Sequence, residues 1–137
     1  MQKTTAKTFP GGGGQYGILR QAGAGALTIT GSNNFLDIQA TSIPSTIIFT
    51  AGTTQTLSDF TLSGTDGSNL VTMQSTVSGT QYYLSKATGT VTVNYLSIQD
   101  SNVTGGATWT TTTSTFVSNN NGWNLGGTPT YHFFAFF

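Results

Sequence analysis

LTITGSNNFLDIQA (residues 27–40) holds two short apolar segments, LTI and FLDI, on either side of a polar turn, GSNN. Apolar residues alternating at a period of two mark a half-buried strand, and Gly, Ser and Asn supply turns. The same plan recurs in IIFTAGTTQTLSDFTLSG (47–64), LVTMQSTVSGTQYYLSKA (70–87) and VTVNYLSIQDSNV (91–103). Aligning Leu27, Ile47, Leu70 and Val91 gives offsets of 20, 23 and 21 residues. Self-similarity at that period marks a solenoid, and with β content alone the unit is one coil of a β-helix. The predicted fold is all-β: a short single-stranded β-helix (β-solenoid) of about five coils, with a C-terminal aromatic tail. A β-sandwich is the alternative, because strand spacing by itself permits it.

A single coil cannot bury its own apolar side chains, but stacked coils can. The inward set is read as Leu27, Ile29, Phe35, Ile38, Ile47, Phe49, Leu57, Phe60, Leu62, Leu70, Tyr83, Leu84, Val91, Val93, Leu96 and Ile98. Thr faces outward in ladders. Residues 1–125 then form the β-helical domain with an N-terminal strand, and 126–137 the tail.

Composition narrows the function. The 137 residues carry four Lys or Arg, four Asp, no Glu and no Cys, and the net charge is zero. Such a surface has no electrostatic footprint for nucleic acid or an anionic membrane. No disulfide can form. The start, MQKTTAKTFPGGGG, has no apolar segment of the kind a secretory signal requires. The expected route is synthesis in the cytoplasm without a signal peptide.

YLSIQDSNVTGGATW (95–109), followed by NNNGWNL (119–125), resembles the terminal coil of virion structural proteins common in bacteriophage and metagenomic sequences. LTITGS and FTAGTTQTLSDFTLSGTDG look like that family's coil repeats, so the similarity runs roughly from Thr8 to Leu125. The family includes fibres, spikes and decoration proteins. The chain departs from the pattern in its WTTTTST segment and in everything after GWNL. The resemblance implies a β-helical virion protein and, as an expectation, a homotrimer.

Catalytic chemistry finds little support. His132 is the only histidine and lies between Tyr131 and Phe133, outside any Ser-His-Asp pattern. Asp37 and Asp59 fall on neighbouring coils and are candidates to share an ion such as calcium, although solvated turn positions explain them more simply. Asp66 and Asp100 read as turn residues. GGGG (11–14) lacks the Lys-Ser/Thr of a phosphate loop. Asn102-Val103-Thr104 is a formal glycosylation sequon without meaning unless the chain is exported. Lys3, Lys7 and Arg20 cluster near the start and suit either an acidic partner or solvent. Trp109 and Trp123 with Tyr82, Tyr83 and Tyr95 suit a sugar platform, but aromatic packing at a coil end is the plainer reading. No catalytic residue, metal ligand or cofactor is expected, and the chain is read as non-enzymatic.

The ends carry the strongest signal. TYHFFAFF (130–137) closes the chain with four Phe. Burying one Phe contributes about 1.5–3 kcal/mol, so four supply roughly 6–12 kcal/mol gross. A segment apolar on both faces is buried on both sides. The expected interface residues are Thr4, Thr5, Lys7 and Phe9 at one end and Tyr131, His132, Phe133, Phe134, Phe136 and Phe137 at the other. The expected function is capsid decoration: a cement protein, trimeric, bound to the major capsid protein on the virion surface. A tail fibre or spike adhesin binding host polysaccharide is one alternative. A Thr-rich ice-binding β-solenoid is another, weakened because its Thr-x-Thr triplets do not recur at one position in each coil.

Overall fold

The structure, a computed structural model, describes residues 5–126. Thr4 and Tyr131–Phe137, expected interface residues, lie outside them. The described residues form fourteen strands and no helix. The first eight are β1 (Lys7–Phe9), β2 (Gln15–Gln21), β3 (Leu27–Ile29), β4 (Asn33–Ala40), β5 (Ser45–Phe49), β6 (Thr54–Leu57), β7 (Val71–Ser75) and β8 (Tyr82–Ser85). The rest are β9 (Thr90–Val93), β10 (Leu96–Gln99), β11 (Ser101–Thr104), β12 (Thr108–Thr111), β13 (Thr115–Ser118) and β14 (Trp123–Leu125).

Three sheets divide them. The first runs β1-β3-β5-β7-β10-β13, the second β2-β4-β6-β8-β11 and the third β9-β12-β14. Every ladder between named strands is parallel. A sandwich of antiparallel sheets would pair its strands the other way. The chain alternates between the first two sheets up to β8 and then passes through β9 of the third sheet before returning to β10. The fold is thus all-β, parallel and solenoid-like.

Register explains the core. Leu27 stacks on Ile47, Ile47 on Met73, Met73 on Ile98 and Ile98 on Phe116. Fourteen of the sixteen residues read as inward are buried. Two are not: Leu70 and Tyr83 are half-buried, and their neighbours Val71 and Tyr82 take the interior. Strand side chains alternate faces, so a one-residue error exchanges the faces. Val91 also leaves the column assigned to it. It stacks on Trp109 in the third sheet, while Val71 and Leu96 continue the first.

The corner between first and second sheets recurs with one backbone conformation. Gly13, Gly31, Gly52, Gly79, Asp100 and Asn119 occupy it in successive passes, all with φ between 56° and 87°. That left-handed region favours Gly, then Asn and Asp. Beside it, Asn33 and Gln55 stack inward as an amide pair: Asn33 Nδ2 donates to Gln55 Oε1 at 3.0 Å. Asn33 Oδ1 accepts from Gly13 N at 3.2 Å, and Gln55 Nε2 donates to Gly31 O at 2.8 Å. Buried amides are tolerated here because each finds partners.

Candidate functional site

The four carboxylates are spent on the scaffold. Asp37 is buried where residues 59–62 pass β4 without forming a regular strand. Its Oδ1 accepts from Ile38 N at 2.8 Å and Thr61 N at 2.9 Å. Its Oδ2 accepts from Gln39 Nε2 at 2.9 Å and Thr61 Oγ1 at 2.5 Å. Four donors fill the acceptor sites of one carboxylate, so Asp37 does the work of a missing strand carbonyl. Asp59 accepts from Phe60 N at 2.8 Å and points to its own turn. The two carboxylates are therefore neighbours without a common partner. Asp100 accepts from Gly79 N and from Asn119 Nδ2, tying together three successive corners. Asp66 closes an exposed turn: Asn69 Nδ2 and Ser68 N donate to it and hold its carboxyl below the usual carboxylate range. Among the described residues no three His, Cys, Asp or Glu side chains gather as metal ligands.

Three of the five aromatic residues, Trp109, Trp123 and Tyr82, pack in or against the core, while Tyr83 and Tyr95 are half-buried. Trp109 is buried with its Nε1 donating to Thr104 O at 3.3 Å. Trp123 meets it edge-on at 5.4 Å and donates to Ser101 Oγ at 3.0 Å. Tyr82 is fully buried and stacked on Phe49 at 4.4 Å. Burial, more than the neighbouring Asp100, pushes its phenol well above the ordinary tyrosine range. Its hydroxyl lies toward Ser101 Oγ, which already accepts from Trp123, and completes no hydrogen bond of its own. Outward Thr pairs stack at Thr8–Thr28, Thr46–Thr72, Thr90–Thr108 and Thr92–Thr110, but no column holds more than two: Ile48, Ser97 and Asn124 follow in three of them.

The two ends are the next candidates. At the N-terminal end, Lys7 shares the column of Leu27, and its Nζ donates to Gly25 O at 2.8 Å. Phe9 packs on Tyr16 at 4.9 Å and on Phe35 at 5.4 Å. Gln21, fully buried, donates to Gly25 O and Thr46 O. Of the interface residues expected here, Lys7 and Phe9 are thus engaged within the chain, while Thr5 is exposed. At the C-terminal end, Phe116 sits above Ile98 in the interior column yet is 38% exposed. Leu125 tops the Val93–Thr111 column and is 66% exposed. No described strand lies beyond β13 or β14. A core column that stops on an apolar side chain is an apolar surface.

A third feature escaped the sequence reading. A lateral cleft of about 570 Å³ opens between the faces of β2, β4 and β6 and the loop at Lys86–Thr88. Gln15, Asn34 and Thr56 line it as one register column. These residues stand at different distances from their corner glycines, Gly13, Gly31 and Gly52, so no fixed spacing reveals the column.

Comparison of the chain with known protein families, with curated proteins and with solved structures found no match.

Proposed function

We propose that this chain is a non-enzymatic structural protein of a bacteriophage virion. In this reading it is a β-helix of about five coils that decorates the outer capsid surface as a homotrimer and binds the major capsid protein. The observation that carries the proposal is the open C-terminal end, where Phe116 and Leu125 finish interior columns in solvent. The chain continues from this end into TYHFFAFF. An interior column that ends on exposed apolar side chains favours assembly over life as a monomer.

The scaffold supports a passive role. Asp37 and Asp100 hold the backbone of neighbouring passes together, and the Lys7 ammonium is bound to a backbone carbonyl. The outer edge of β1, with Thr5 and Thr8 exposed, is the surface offered to the capsid. Placement on a virion rests on the resemblance of residues 95–109 and 119–125. A ligand that binds the assembled lattice and not free subunits stabilises the lattice by mass action.

The test is molar mass by light scattering for the intact chain and for a chain ending at Gly127, followed by co-sedimentation with emptied phage capsids. The proposal expects a trimer from the intact chain, a lower mass from the shortened one and capsid binding by the trimer. An intact monomer that ignores capsids overturns it.

A further inference from the structure

The lateral cleft carries chemistry that assembly does not use. Three of its residues, Gln15, Asn34 and Thr56, follow one another across β2, β4 and β6. Adjacent strands lie about 4.8 Å apart, so their amides and hydroxyl form an evenly spaced polar row. Ser58 lines the same cleft. None of these four side chains is consumed by a hydrogen bond among the described residues, in contrast to the stacked Asn33 and Gln55 one corner away. Beside the polar row stands Leu36, 55% exposed. The Tyr16 ring, next along β2, turns to the opposite face and packs on Phe9 and Phe35.

Charge selects the ligand class. The cleft contains one cation, Lys86, and its Nζ is held by Thr88 O at 3.0 Å. No carboxylate lines it. A nucleic acid needs a row of cations. A peptide strand needs a free sheet edge; β2 ends this sheet, but the polar row lies on the strand faces, and β4 and β6 are paired on both sides. A pyranose chain needs what is present: donors and acceptors for the hydroxyls along its edge, and an apolar surface for the C–H face of its rings.

We propose that this cleft binds a neutral oligosaccharide, with Gln15, Asn34 and Thr56 hydrogen-bonding its hydroxyls and Leu36 supporting its apolar face. This glycan-binding function is separate from the assembly role and survives if that role fails. The experiment uses the full chain and soluble dextran, mannan and galactan as probes, with polygalacturonate as the charged arm, read by affinity electrophoresis and calorimetry. The expected result is binding of at least one neutral polymer, weakened about tenfold by Asn34→Ala and by Gln15→Ala, as loss of one hydrogen bond in a small site implies. Val77→Ser, an exposed change outside the cleft, leaves the affinity unchanged. Both cleft variants are surface substitutions, so their melting temperatures stay at the parent value. Three results overturn the proposal: no neutral polymer binds, only polygalacturonate binds, or the two cleft variants bind as the parent does.

Discussion

The two ends of this stack are finished by opposite chemistry. At the N-terminal end, polar donors enter interior columns and find acceptors there: Lys7 Nζ on Gly25 O, and Gln21 Nε2 on Gly25 O and Thr46 O, while Gln21 Oε1 is buried without a donor. Aromatic rings of Phe9 and Tyr16 cover what remains. At the C-terminal end the interior columns stop on Phe116 and Leu125, both open to water. A solenoid must close its ends or offer them to something else, because each holds unpaired strand edges and unfinished core. The first end closes over its own core and leaves only a strand edge to a partner; the second leaves core side chains to one.

Stability measurements sharpen this contrast. Trp109 lies one layer below the open end and is almost fully buried, so Trp109→Ala costs about 3–5 kcal/mol in chemical denaturation. Trp123, half-buried above it, costs distinctly less in the same experiment. Equal losses would mean that the open end is not where the described core stops. At the closed end, Asn33→Ala strands the Gly13 N–H and one Gln55 acceptor, and costs about 2 kcal/mol.

Alkaline unfolding reports on the interior between the ends. The folded pKa of Tyr82 is raised above its unfolded value. The stability this contributes is complete below the unfolded tyrosine pKa of about 10 and is lost as pH rises beyond it. Tyr82→Phe removes that loss and is near neutral at pH 7, since the hydroxyl completes no hydrogen bond. A parent and variant that lose stability in parallel above pH 10 would refute the burial of this phenol.

The corners give the smallest effect. Space around Gly79 is open, so Gly79→Ala tests its left-handed backbone alone and costs about 1 kcal/mol. Asp100, in the same conformation, already bears that cost and recovers part of it through Gly79 N and Asn119 Nδ2. Asp100→Ala keeps that cost and loses both hydrogen bonds, so it destabilises more than Gly79→Ala.

Much of this architecture was legible because it repeats. Alternation placed Leu27, Ile29, Ile47 and Phe49 inward, and their parallel register follows from it. The reading slipped at Leu70 and Tyr83, where adjacent apolar residues, Leu70-Val71 and Tyr82-Tyr83, satisfy either phase. It also placed Val91 in the wrong column, because the third sheet enters only after β8 and breaks a two-sheet rhythm. The corner glycines were the better ruler: Gly31, Gly52 and Gly79 share one conformation, and Asp100 and Asn119 continue it. The cleft was not legible, since it depends on which outward residues meet across strands of unequal offset. Asp37 read as a possible ion ligand because its donors come from Thr61, far along the chain.

The most direct test of the central claim compares the ends by molar mass. Light scattering is applied to the intact chain, to a Phe116→Ser/Leu125→Ser variant at the open end and to Phe9→Ser at the closed end. Phe9→Ser is expected to lower the melting temperature and leave the oligomer intact. The double variant is expected to lose the oligomer and keep the fold. An oligomer that survives the double variant but dissociates in Phe9→Ser would place assembly at the opposite end and contradict this account.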